Sequence, residues 1–123
     1  MKLHFDEFPE INVIDSYATG SISINRQPYS GSIMVTPKNV FTDDLPVDIN
    51  DCSHALLDRI SELQPDVLLL GTGARQVFPE PAILSALYEK SLPFEAMSTP
   101  AACRSYNVLV GESRFVVALL LPA

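Results

Sequence analysis

The chain has 123 residues, enough for one domain with a real core, and carries eight Lys plus Arg against fifteen Asp plus Glu, a net charge of −7. Apolar residues make up 47% and charged residues 19%, which excludes a disordered or polyelectrolyte chain. There are only two cysteines, Cys52 and Cys103, which excludes a disulfide scaffold and a four-cysteine zinc site.

The acidic balance opposes a phosphate backbone, and Arg26, Arg59, Arg75, Arg104 and Arg114 are too dispersed to form a basic stripe, so nucleic acid is not an expected partner. Met1 to Glu10 includes His4, Asp6, Glu7 and Pro9 without an apolar run, which reads as neither a secretory signal nor a transit peptide. The greasiest stretch, Phe115 to Leu121, falls far short of the roughly twenty residues of a membrane span, so no membrane insertion is expected. With unpaired cysteines, the expectation is a cytoplasmic protein in a reducing compartment.

Residues 1–47 read as a meander of short antiparallel strands. Residues 12–17 lead to Gly20, and Ser21-Ile22-Ser23-Ile24 alternates as a half-buried strand does. A turn at Asn25-Arg26-Gln27-Pro28, an apolar Ile33-Met34-Val35, punctuation at Pro37-Lys38-Asn39 and a short Val40-Phe41 follow. The edge of such a meander could pair two chains, so the expected state is a monomer or weak dimer.

Residues 48–123 alternate helices and strands. Asp51 is placed to cap a helix with Cys52, Leu56, Ile60 and Leu63 at helical spacing, ended by Pro65. Val67 to Leu70 is an apolar run suited to a strand buried on both faces. A second helix from about Glu80 to Lys90 groups Ile83, Leu84, Leu87 and Tyr88, with Pro79 and Pro81 near its first turn. Phe94 to Met97 reads as a short strand. Thr99-Pro100 suits the cap and first position of a third helix to about Val110, with Gly111 as its C-terminal cap. The last strand runs from Phe115 to Leu121. This predicts one α/β domain over 1–123: an N-terminal antiparallel meander packed with a mixed, partly parallel sheet covered by about three helices.

Gly71-Thr72-Gly73 at the end of the buried strand is where open α/β sheets bind ligands. It lacks the third glycine of a dinucleotide fingerprint, where Gln76 stands, and the Lys-Ser/Thr of a P-loop. A tight turn needing glycine conformations is the competing reading. Arg75, Arg104 and the helix start at Thr99 could together form an anion site, provided both arginines face one crevice. Against it, Arg104 could pair with Glu95 or Glu112 while Arg75 is simply solvated.

Cys103, placed in the first helical turn beside Arg104, has the surroundings of a low-pKa thiol. His4 and His54 supply no evident base, so a buried structural cysteine competes. His54 and Asp58 share a helix face near Cys52, but two ligands make no metal site, and Asp43-Asp44 reads as a solvated turn. Tyr106 and Asn107 lie mid-helix. A buried Asn needs a partner there, either the Gly71–Gly73 loop or a ligand. No catalytic set, cofactor or metal is called for by these residues.

The run Glu95-Ala96-Met97-Ser98-Thr99-Pro100-Ala101-Ala102-Cys103-Arg104-Ser105-Tyr106-Asn107-Val108-Leu109, then Glu112-Ser113-Arg114 and the Ala118-Leu119 strand, resembles the Mth-type family of domains of unknown function. Leu68-Leu69-Leu70-Gly71-Thr72-Gly73 is similar to its glycine turn, and Ser98 and Ser105 stand where members more often carry Asp and Thr. The resemblance spans essentially the whole chain. It implies a three-layer fold of two sheets and helices, and no established enzymatic activity. Its relatives include an adipogenesis-associated animal protein and a mitochondrial assembly factor for respiratory complex I, so it implies a protein partner. The expected working surface is either a protein interface or an anionic-ligand crevice, both drawing on Gly71, Thr72, Gly73, Arg75, Thr99, Cys103, Arg104, Tyr106 and Asn107.

Overall fold

The computed structural model describes residues 11–123; His4 and the reading of the first ten residues lie outside it. Strands β1 (Ile14–Ala18), β2 (Ser21–Ile24) and β3 (Gln27–Ser30) form an antiparallel sheet in sequence order. The β2–β3 turn is a tight pair, Asn25 and Arg26, both at positive φ (50° and 69°), the backbone that matches strand twist in a two-residue hairpin. Gln27 and Pro28, expected in that turn, already belong to β3.

The meander does not continue as one sheet. Strands β4 (Ile33–Val35) and β5 (Val40–Phe41) leave it and join a second sheet in the order β5-β4-β8-β6-β7. There β8 (Val116–Leu120) runs antiparallel to β4 and parallel to β6 (Val67–Gly71), which is parallel to β7 (Phe94–Met97). The reason is burial: β4 is covered on both faces, whereas β1 and β3 are largely exposed.

The helices are α1 (His54–Glu62), α2 (Pro81–Glu89) and α3 (Thr99–Gly111). Alternation along β6 and β8 sorts the core into two. Leu68, Leu70, Val117 and Leu119 face α1 and α2, packing on Leu57, Ile60 and Leu87. Val67, Leu69, Val116, Ala118 and Leu120 face α3 and the small sheet, meeting Cys103, Tyr106, Ile14, Ile22 and Ile24. The five-stranded sheet is therefore the middle of three layers.

Helix boundaries shift from the sequence reading for local reasons. Asp51 ends a short 3-10 turn, Ile49–Asp51, and the α1 cap is Ser53, whose Oγ accepts the Leu56 N–H at 3.1 Å. On α2, Ile83, Ala86 and Leu87 are buried, but Tyr88 is 67% exposed. Ser98, not Thr99, caps α3, and Gly111 is its last helical residue rather than its terminator. The left-handed position falls on Ser113 (φ 63°), where Ser113 N–H bonds Val110 O and Arg114 N–H bonds Leu109 O, a Schellman closure.

Candidate functional site

Gly71, Thr72 and Gly73 form a joint that fastens the end of β6 to the start of α3. A Cβ on Gly71 would lie 3.0 Å from Thr99 Oγ1 and 3.1 Å from Thr99 Cα, so the bare glycine is what lets the helix press on the strand. Gly73, at φ 107°, donates its N–H to Thr99 Oγ1 (2.9 Å), and its carbonyl accepts the Thr99 N–H (2.7 Å). The Thr99 hydroxyl in turn donates to Leu121 O at 2.7 Å. Thr72 Oγ1 bonds the carbonyls of Arg75 (2.6 Å) and Met97 (3.1 Å) and accepts the Val77 N–H (2.9 Å).

These bonds also decide what the α3 N-terminus can hold. The Thr99 amide goes to Gly73, Pro100 has none, the Ala101 amide goes to Ser98 Oγ (3.3 Å), and the Ala102 amide goes to Ser98 O (2.9 Å). The donors that would greet an anion are therefore bonded within the protein. A cavity of about 320 Å³ opens beside the joint, lined by the Tyr17–Ser21 turn, Ala74, Thr99, Pro100 and Pro122.

The two arginines do not meet there. Arg75 is exposed and enters the joint through its carbonyl, while Arg104 Nη1 donates to the Tyr17 phenol at 2.6 Å. Arg104 lines a different groove with Leu69, Met97 and Val108, and among the described residues its close polar partner is Tyr17 rather than Glu95 or Glu112.

Cys103 sits five residues past the Ser98 cap, in the second turn rather than the first, and is fully buried. Burial pushes its thiol up to about 11, and nearby Arg104 only partly offsets this, so the fold does not favour a thiolate. Cys52, also buried, is likewise pushed up to about 11 by burial, with Asp51 and Asp48 adding. Tyr106 is fully buried, its hydroxyl donates to Asn12 O at 2.9 Å, and burial raises its pKa.

Asn107 does not reach the Gly71–Gly73 loop. Its Nδ2 donates to Ile14 O (2.8 Å) and its Oδ1 accepts the Ile14 N–H (2.9 Å), so a helix side chain stands in for a strand beside β1. Asp58 bonds Lys90 at 2.5 Å, and among the described residues no three His, Cys, Asp or Glu side chains gather for a metal.

The residues that sequence reasoning passed over lie at the outer strand. Phe78 and Tyr88 are 64% and 67% exposed and share a groove with Leu92, Pro93 and Phe94. The Tyr88 and Phe94 rings meet edge to face at 5.9 Å. The available signal was the apolar pair Val77-Phe78 in a loop, where solvent exposure normally selects polar residues.

The family described as protein of unknown function (DUF498/DUF598) matches residues 14–121. A 13 kDa major membrane protein of Francisella tularensis subsp. holarctica (strain LVS) is 27% identical over 106 residues, covering 85% of this chain and 86% of that protein. NADH dehydrogenase [ubiquinone] 1 alpha subcomplex assembly factor 3 of Mus musculus is 29% identical over 118 residues; the match takes in 94% of this chain and 63% of that protein, just under two thirds of its length. The solution structure of a Bordetella pertussis protein, a Mth938-like domain, superposes with a TM-score of 0.75 at 31% identity, covering 99% of this chain and 92% of that one. No described helix is long and apolar enough to cross a membrane.

Proposed function

The chain belongs to the family of proteins of unknown function DUF498/DUF598, and on that premise we propose that it acts by protein contact, as an assembly-factor-like module for membrane-bound complexes. The observation that carries this reading is the exposed aromatic cluster of Phe78 and Tyr88 beside Phe94. Aromatic side chains grouped in one exposed groove mark a contact surface more often than single exposed apolar residues do. The mouse relative's name, an assembly factor, and the Francisella relative's name, a membrane protein, support the same direction.

Such a module works by binding and needs no reacting group. That agrees with a strand-end joint whose threonine hydroxyls, Gly73 amide and first helix amides all find their partners within the protein. The anionic-ligand alternative draws on the 320 Å³ cavity, whose described lining includes neither arginine.

The test is affinity capture from gently solubilised membranes of the source cells, using wild type, a Phe78→Ser, Tyr88→Ser double variant, and an Arg75→Ala, Arg104→Ala double variant. Wild type and the arginine variant are expected to enrich the same membrane-complex subunits, and the aromatic variant to lose at least tenfold of that enrichment. No reproducible partner for wild type would overturn the reading, and loss confined to the arginine variant would move the interface to the crevice.

A further inference from the structure

Strand β7 ends the five-stranded sheet, so one of its edges has no strand beside it among the described residues. Its backbone directions follow from the β6 ladder. Pro93 O accepts the Leu68 N–H and Met97 O accepts the Thr72 N–H, both at 2.8 Å, and Leu69 lies opposite Glu95. The backbone groups of 93, 95 and 97 therefore face β6, and those of Phe94 and Ala96 face outward. One outward group is already answered: Gln76 Nε2 donates to Ala96 O at 2.9 Å, a side-chain amide standing where a strand N–H would. Phe94 N–H, Phe94 C=O and Ala96 N–H point away from the ladder.

Both faces of this edge are hollowed. On the α2 side lies a groove of about 450 Å³ with Phe78, Tyr88 and Phe94; on the α3 side lies one of about 300 Å³ with Glu95, Met97, Val108 and Leu109, and with Arg104, whose guanidinium donates to the Tyr17 phenol. A strand laid along β7 would drop alternate side chains into the two. Glu95 is the ionisable residue of β7, is exposed, and makes no ion pair with a described residue, in a chain of net charge −7.

A second copy fits this edge poorly. A two-fold that pairs Phe94 with Ala96 sets Glu95 directly against its own copy, with like charges opposed. An axis through Ala96 displaces Gln76 on both chains. An axis through Phe94 leaves that pair alone, because the Leu92 N–H is already bonded to Leu87 O (3.1 Å).

We propose that the β7 edge takes up an extended segment of a partner protein as a sixth strand, with a bulky apolar residue for the Phe78–Tyr88 groove and a Lys or Arg opposite Glu95. This rests on the protein-contact reading and gives it a partner chemistry.

The test pans phage-displayed random octapeptides on the full chain and maps the winners by amide chemical shifts. Enriched peptides are expected to alternate apolar residues around a central Lys or Arg and to shift the Phe94 and Ala96 amides. Ala96→Pro, which removes an outward N–H and leaves the β6 ladder whole, is expected to weaken binding at least tenfold. Glu95→Lys, an exposed change that keeps the fold, is expected to invert the preference toward acidic peptides.

Absence of enrichment, or shifts confined to another face, would overturn the proposal. So would a concentration-dependent dimer in sedimentation that Ala96→Pro abolishes, since the second copy would then be the occupant. If Ala96→Pro captures the same membrane partners as wild type, the edge assignment falls while the contact reading stands; if wild type captures none, the contact reading falls.

Discussion

Replacing Thr99 by Val keeps the shape of the side chain and removes its hydroxyl. In the folded state that hydroxyl accepts from Gly73 N–H and donates to Leu121 O, and Thr99 is 2% exposed, so water cannot take its place. Leaving a buried polar group unpaired costs about 1–3 kcal/mol, so two orphaned groups predict a loss of about 3 kcal/mol for Thr99→Val. With an unfolding entropy of about 2.1 cal/mol/K per residue, that loss lowers the thermal midpoint by about 10–12 °C. Thr99→Ser is the control, because it keeps both bonds and gives up one methyl, about 1 kcal/mol. Urea melts followed by far-UV circular dichroism at constant slope measure both. If Thr99→Val falls within about 0.5 kcal/mol of Thr99→Ser, the hydroxyl bridge does not hold the joint and the account of the Gly71–Gly73 turn is wrong.

Asn107→Ala should cost about 1–3 kcal/mol by stripping both Ile14 backbone groups of their partner, and hydrogen exchange should quicken first along β1. For Asn107→Asp the loss should be larger at pH 7, where a carboxylate faces the Ile14 carbonyl, than at acid pH, where a protonated carboxyl can donate; equal losses at both pH values would refute the pairing. The thiols give a pH signature. Both Cys52 and Cys103 are pushed from 9.0 up to about 11 in the fold, so the folded state retains protons that the unfolded state releases. Their contribution is complete below pH 9 and is lost as pH rises to 11; urea midpoints should fall across that window, and less steeply in a Cys52→Ala, Cys103→Ala double variant. At pH 7.5 a disulfide reagent should label the native thiols far more slowly than the urea-unfolded ones; equal rates would refute their burial.

Much of this architecture was legible from periodicity. Phe94–Met97 and the apolar run of β6 stand where the sequence placed them, because strand burial follows directly from residue type. The allocation of β4 and β5 was not legible. Alternation tells which face of a strand is buried, but not which sheet supplies the cover. The α3 cap moved from Thr99 to Ser98 because two adjacent hydroxyls compete for the role, and the Thr99 hydroxyl has a tertiary partner in Gly73. Asn107 was recognisable as an amide in need of partners, but its actual partner, Ile14, lies 93 residues away in sequence, beyond the reach of any local pattern. The Phe78–Tyr88 groove was hidden because Tyr88 continues the apolar stripe of α2 in sequence, and that periodicity does not show that its ring stands exposed against Phe94.

The place of β8 in the sheet sets an order on how this chain is made. β8 comes last of the strands in sequence, yet it lies between β4 and β6, so the β4–β5 pair reaches the parallel half of the sheet only through it. During synthesis every earlier element is threaded from the ribosome before the strand that joins them has been translated. The edges of β4 and β6 that β8 will join then wait unpaired, and distant pairings of this kind close slowly. Nascent chains halted before Val116 should therefore be protease-sensitive and good clients for a holding chaperone, with protection arriving in one step once Leu120 clears the exit tunnel.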